Sequence, residues 1–337
     1  MTIEKIGAAV IGMRMGRAHA KAYTDNPNTR LVAVCDTNAE ALEQARKEYP
    51  AADAVTDYRD LLGRKDIRIV SVASPDYFHA EHSIACLEAG KDVLCEKPMT
   101  LTLDEARSIA AAVKRTGRRF MTGQVCRFTP GFVQAKRLIE RGDIGELYFV
   151  ESEYAHHYGK ARGVGDWRVD PRREPFIGGG CHAVDLLRWV AGHPTEAFAW
   201  SNHKCLPDWP VNDCTICMFK FPNNVLGKVF VSIGCARPYT MRSVFYGTEG
   251  TIITDNKSPE MQVCSKRMQV YDQDFARIPV PINNHNVTDE AKELVNSILE
   301  NREPTPDVRE GARTVAACVA AVESARTGRP VKVERMD

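Results

Sequence analysis

The sequence predicts an α/β fold: a doubly wound parallel sheet over residues 1–123, followed over residues 124–337 by a substrate-binding and oligomerisation α+β domain with a large, mostly antiparallel, open-faced sheet, a C-terminal helix of which can pack back on the first domain. Three observations predict it. At 337 residues the chain exceeds one ordinary hydrophobic core and suits two domains. Up to residue 123, short β-branched runs alternate with amphipathic helical stretches, the signature of consecutive βαβ units. Beyond it the alternating runs lengthen, as antiparallel strands with one covered face require.

Taken in order, six parallel strands are expected at Ile6 to Ile11, Arg30 to Cys35, Ala54 to Thr56, Ile69 to Ala73, Asp92 to Cys95 and Arg119 to Thr122. Helices at Gly16 to Tyr23, Ala39 to Glu48, Phe78 to Ala89 and Leu103 to Arg115 supply the crossovers, each closing near a Gly, Asn or Pro. Such a fold opens its ligand crevice at the carboxyl ends of the strands. In the second half one helix, Pro130 to Arg141, precedes strands that include Glu146 to Tyr154, Asp213 to Phe221, Leu226 to Gly234 and Val244 to Tyr246. Helices return at His182 to Val190, Asp289 to Glu300 and Val308 to Arg326.

Composition narrows the partners. Lys plus Arg number 45 and Asp plus Glu 44 with no long single-sign run, which argues against nucleic acid or an anionic membrane and for a small neutral substrate. The N-terminal Met1-Thr2-Ile3-Glu4-Lys5 leads into a β-like run rather than a signal-peptide pattern, and no apolar stretch reaches membrane-spanning length. A cytoplasmic protein is expected. Eleven cysteines is an odd count, scattered through apolar contexts, so reduced thiols are expected. The Cys214-Thr215-Ile216-Cys217 spacing falls within a strand and lacks a second pair, so no metal site is assigned to it.

The first strand ends in Gly12-Met13-Arg14-Met15-Gly16, followed at once by a helix. That is where a dinucleotide-binding Rossmann fold keeps its glycine-rich turn, which lets the backbone approach a pyrophosphate seated on a helix N-terminus. The usual GxGxxG is degraded here: the middle glycine is missing and the outer spacing is one residue short. Asp36 ends the second strand 20 residues after Gly16, where a carboxylate accepts the ribose hydroxyls of NAD. Thr37 and Asn38 follow it rather than an Arg for a 2′-phosphate, which favours NAD over NADP. Asp36 as the N-cap of the next helix is the alternative.

Four further segments carry a resemblance. They are Ser74-Pro75-Asp76-Tyr77-Phe78-His79, Ala89-Gly90-Lys91-Asp92-Val93-Leu94-Cys95-Glu96-Lys97-Pro98, Ile144-Gly145-Glu146-Leu147, and Ser324-Ala325-Arg326-Thr327-Gly328-Arg329-Pro330. With the glycine turn, they resemble the glucose-fructose oxidoreductase, inositol dehydrogenase and rhizopine-catabolism (Gfo/Idh/MocA) group over nearly the whole chain. The resemblance implies an NAD(H)-dependent oxidoreductase of a sugar, inositol or related polyol, forming a homodimer or homotetramer. It places Gly12, Met13, Arg14, Met15, Gly16, Asp36, Ser74, Pro75, His79 and Glu96 on the cofactor. Lys97 would contact both the nicotinamide ribose and the reacting hydroxyl, where a cation stabilises alkoxide charge as hydride leaves.

Family members also carry an Asp-x-x-x-His pair after a Gly-rich turn. Here His182 matches the histidine and Gly178 stands where the aspartate would be. His182 as a general base is chemically sound; capping or packing its own helix is the alternative. Asp185, one turn along, reads as an anchor for the helix or a neighbour. Trp167 and Arg168 resemble a segment that reaches the cofactor from the second domain, with a packed loop as the alternative. His156 and His157, between two tyrosines, and Arg127, for which a salt bridge is the alternative, complete the expected substrate side. The resemblance leaves two other functions open: an enzyme using tightly held NAD transiently in glycoside cleavage or isomerisation, and a non-catalytic dinucleotide-binding sugar sensor.

Overall fold

The computed structural model describes residues 5–159, 162–271 and 274–336. The chain divides into two compact units: residues up to Gln124 with Val287–Ala312, and Val125–Asn286 with Arg313 to the C-terminus.

In the first unit β1 (Ile6–Ile11), α1 (Gly16–Asp25), β2 (Thr29–Cys35), α2 (Ala39–Glu48) and β3 (Asp53–Val55) form the first βαβαβ run. The short α3 (Arg59–Leu62), then β4 (Ile69–Val72), α4 (His79–Glu88), β5 (Asp92–Glu96), α5 (Leu103–Thr116) and β6 (Phe120–Gly123) complete it. The sheet is wholly parallel in the order β3-β2-β1-β4-β5-β6. The order reverses between β1 and β4, so a crevice opens beyond their carboxyl ends. Every residue of β4, β5 and β6 is buried, as a sheet covered on both faces demands. Local signals set the helix ends. Thr102 and Glu105 form a reciprocal capping box on α5, and Gly117 closes it at φ 64°.

In the second unit α6 (Pro130–Glu140) leads into β7 (Leu147–Ala155), then α7 (Pro175–Gly178) and α8 (Cys181–Ala191). Seven strands follow: β8 (Glu196–Asn202), β9 (Cys214–Lys220), β10 (Leu226–Ser232), β11 (Arg242–Gly247), β12 (Gly250–Asp255), β13 (Glu260–Ser265) and β14 (Ala276–Pro279). α9 (Val287–Leu299) belongs to the first unit and packs on α1. α10 (Val308–Thr327) and β15 (Val331–Lys332) end the chain. The nine strands run β14-β13-β12-β11-β7-β10-β9-β8-β15, antiparallel except for the β7–β10 pair. Helices cover one face, where Val150, Ser152 and Tyr154 of β7 are buried. The other face alternates outward as Phe198 and Trp200 on β8 and Ile216 on β9, with Trp200 54 % exposed. Cys214 and Cys217 sit at opposite phases of β9 and so point to opposite faces, which denies them a shared metal ion. All eleven cysteines are free thiols. Among the described residues no helix is long and apolar enough to cross a membrane.

Candidate active site

The glycine turn leaves β1 with Gly12 at φ +90°, where a Cβ would stand 2.5 Å from the Ala73 carbonyl oxygen at the end of β4. Only glycine fits that approach. A Cβ on Gly16 would meet Val10 at 2.5 Å, so this second glycine lets α1 seat against its own strand. No side chain caps α1 and its first turn holds no acid, leaving a helix N-terminus suited to an anion. Met13 is buried and gives its amide to Asp36 Oδ2 at 2.7 Å, while Arg14 is exposed and Met15 half-buried. Asp36 Oδ1 accepts the Asn38 amide at 2.8 Å. The cap of α2 is Asn38, whose side chain accepts the Ala41 amide, so capping is not the task of Asp36.

β5 carries Glu96 at its last position, and Lys97 follows half-buried before a cis peptide to Pro98. Glu96 turns inward: Oε1 lies 3.0 Å from His19 Nε2 and Oε2 accepts the Lys97 amide at 3.1 Å. Burial disfavours the Glu96 charge, but the His19 hydrogen bond and the His19 and Lys97 charges outweigh it and hold the carboxyl below its ordinary value. His79 is buried with Nδ1 2.8 Å from the Pro98 carbonyl and Nε2 2.9 Å from that of Ser74. Two carbonyl acceptors require two ring protons, hence an imidazolium. Burial works against that charge, yet Cys95, Asp76 and the Pro98 carbonyl raise it to about 9. His79 therefore ties the Ser74–Pro75 turn to the lysine loop. Ser74 Oγ pairs with His82 Nδ1 at 3.0 Å.

In the second unit His182 lies buried in the first turn of α8, Nδ1 3.3 Å from Cys126 Sγ. Its ring stacks near Tyr154 at 6.0 Å and lies 5.9 Å from His285. Tyr154 and Tyr158 share a 2.7 Å hydroxyl contact, and Tyr239 lies 3.3 Å from His285 Nε2. Burial, then the neighbouring tyrosines, push Tyr154 well above its ordinary value; burial does the same to Tyr239. These rings are neutral donors and acceptors at physiological pH, the chemistry that suits a hydroxylated ligand. β7 ends at Ala155, after which His156 turns into the aromatic cluster, 4.8 Å from the Tyr239 ring, while His157 is exposed.

Arg127 is taken by Asp185, Nε and Nη2 each donating at 2.7 Å to a separate carboxylate oxygen. Asp185 also accepts Thr314 Oγ1 at 2.9 Å and lies 3.6 Å from Arg188. It thus anchors α8, and the salt bridge accounts for Arg127. Gly178 has a neighbour that explains its size: a Cβ there would fall 2.5 Å from Arg173 Cζ. A guanidinium fills the space in which the usual aspartate would stand. Arg173 and Arg168 both pack against the Trp167 ring, at 4.9 and 5.0 Å.

Residues 6–124 match the NAD-binding Rossmann domain of the Gfo/Idh/MocA oxidoreductase family, and residues 132–253 match its C-terminal domain. The chain belongs to this family. Among relatives, levoglucosan dehydrogenase of Pseudarthrobacter phenanthrenivorans is 25 % identical, over 92 % of this chain and 93 % of its own. Inositol 2-dehydrogenase 2 of Saccharopolyspora erythraea is 29 % identical over 73 % and 72 %. A levoglucosan dehydrogenase structure holding NADH and levoglucosan superposes with a TM-score of 0.90 at 24 % identity, covering 98 % of this chain and 100 % of that one. As a Gfo/Idh/MocA oxidoreductase, the chain binds NAD through its first unit, and the Gly12 cradle, the uncapped α1 and Asp36 fit that cofactor.

The sequence did not single out Arg173, Tyr239, His285 or Glu290. Tyr239 and His285 sit in loops without motif spacing, and only the fold brings them to His182. Arg173 had one signal, its place five residues before the glycine that replaces the aspartate.

Proposed function

We propose that this oxidoreductase interconverts a secondary alcohol of a sugar, inositol or related polyol with its ketone, using NAD rather than NADP. The observation that carries the reading is Lys97, a half-buried cation just past a fully buried strand, at the carboxyl edge of an NAD-binding sheet. NAD supplies the hydride acceptor or donor. The Lys97 ammonium stabilises the negative charge that grows on the substrate oxygen. His182, with Cys126 on one ring nitrogen, accepts the hydroxyl proton and returns it in the reverse direction. Tyr239 and His285 offer hydroxyl and imidazole groups to the remaining substrate hydroxyls, and His156 extends that surface. Asp36 accepts the ribose hydroxyls and disfavours a 2′-phosphate.

The sugar and inositol dehydrogenases among the relatives support this substrate class. The outward Trp200 and Ile216 support pairing of the second-unit sheet with another copy, in a homodimer or homotetramer. NADH formation over a panel of polyols and glycosides, with wild type and Lys97→Met, tests the chemistry. Removing one such electrostatic partner lowers kcat by about 100-fold or more; undiminished turnover in Lys97→Met refutes the assignment.

A further inference from the structure

One buried acid of the first unit has no part in hydride transfer as described. Glu290, in the first turn of α9, is fully buried, and neither carboxylate oxygen has a hydrogen-bond partner among the described residues. One of its oxygens, one of Glu96 and a ring nitrogen of His19 lie within 4.8 Å of one another. Gly123, at the end of β6, borders the group: a Cβ there would stand 3.1 Å from Glu96 Cα and 3.5 Å from Glu290 Oε1.

The neighbours already have fixed partners. Tyr23 Oη lies 2.8 Å from Ser71 Oγ, Ser71 Oγ lies 3.2 Å from His19 Nδ1, and His19 Nε2 meets Glu96 at 3.0 Å. This buried chain ends at Glu96, whose other oxygen accepts the Lys97 amide at 3.1 Å. A second bare anion beside it would face Glu96 in a buried setting with no hydrogen-bond donor aimed at it among the described residues. A carboxylic acid instead brings an O–H for which the Glu96 carboxylate has acceptor capacity to spare.

We propose that Glu290 is a positioning residue held as the neutral acid, sharing one proton with Glu96 and so fixing the end of β5 that presents Lys97. The groups facing it are Glu96 and Lys97 from β5 and its end, and His19 and Tyr23 from α1. Burial and then the Glu96 charge push the Glu290 carboxyl well above its ordinary range, with Lys97 opposing. The proton therefore resides on Glu290. This assignment gives α9 a reason to belong to the first unit and stands whether or not the substrate is a polyol.

Glu290→Gln is the test, because an amide keeps the acid's shape and a donor but cannot titrate. The apo full-length chain is unfolded at several pH values from about 5 to about 8, spanning upward from the ordinary carboxyl range. With a raised folded-state value, Glu290 keeps a proton that the unfolded chain has lost, so its contribution is full below the unfolded value and fades as pH rises through the folded one. The folding constant of wild type relative to Glu290→Gln should fall as pH rises through that window, by up to about tenfold per pH unit for as long as the folded chain keeps its proton. Where folded Glu290 loses its proton on raising pH, wild-type kcat should show a falling limb that Glu290→Gln lacks, which a purely space-filling residue would not produce. Parallel stability profiles overturn the proposal. So does a zinc or manganese salt that raises the melting temperature of wild type but not of Glu290→Gln, since a cation would then hold the three side chains together.

Discussion

Replacing Asp185 with Asn should weaken the second unit by about 3–5 kcal/mol, the cost of removing one partner from a buried ion pair. The magnitude follows from the site. The Arg127 and Asp185 side chains are 4 % and 0 % exposed, and two 2.7 Å charge-assisted bonds join them. Asn keeps one carbonyl oxygen for Arg127 but removes the charge, leaving the guanidiniums of Arg127 and Arg188 without their shared anion. Coulomb attraction at about 4 Å and an effective dielectric of 20 gives about 4 kcal/mol, the same size. For a unit of this length each kcal/mol lowers the melting temperature by about 2–4 °C, so a fall of roughly 6–20 °C is expected in calorimetry of the full chain. The paired replacement Arg127→Met with Asp185→Leu should recover only part of the loss, because it removes the Arg127 charge together with the carboxylate but still takes that carboxylate from Arg188. A loss below about 1 kcal/mol for Asp185→Asn would show that water reaches the pair and that its burial does not govern its energy.

Gly12→Ala should raise the dissociation constant for NAD by about 5- to 150-fold in calorimetric titration, since a methyl at φ +90° meets the Ala73 carbonyl at 2.5 Å and strains the turn by about 1–3 kcal/mol; unchanged affinity would contradict the close approach. Asp36→Ala should weaken NAD by about 1–2 kcal/mol and bring NADP binding up toward it, and fluorescence titration with both dinucleotides decides this. His79, raised to about 9 from 6.5, adds stability that is full below about pH 6.5 and lost as pH rises through 9, roughly 3 kcal/mol in all. Unfolding of His79→Gln should lack that slope, and an identical slope in both proteins would mean the ring is neutral.

Where neighbours in sequence are neighbours in function, the sequence was legible. Gly12, Gly16 and Asp36 stand out as candidates because one strand, one turn and the next strand position them, and Lys97 because it follows a strand in a distinctive Glu-Lys-Pro run. The six parallel strands lie within two residues of their expected bounds, since fully apolar runs mark a doubly covered sheet. β14, with four residues and a proline, gave too short a period to recognise, and it needs its partner β13 to be a strand at all. The aromatic cluster around His182 depends on loops that only the completed second unit brings together. The helical period of α9 shows its apolar stripe but not which sheet receives it: the expected division at residue 123 allowed for a C-terminal helix packing back on the first domain without naming α9, and Val287–Ala312 is the segment that groups with the first unit.

That return of α9 has a consequence for how the protein is made. A ribosome that has released the first 124 residues has delivered all six strands of the parallel sheet, yet the patch of α1 that α9 covers is still bare. The nascent sheet must wait through nearly half of the chain before its own last helix emerges. A fragment ending at Gln124 should therefore be a sticky, incompletely closed species, and a separately expressed peptide spanning Val287–Ala312 should rescue it in trans.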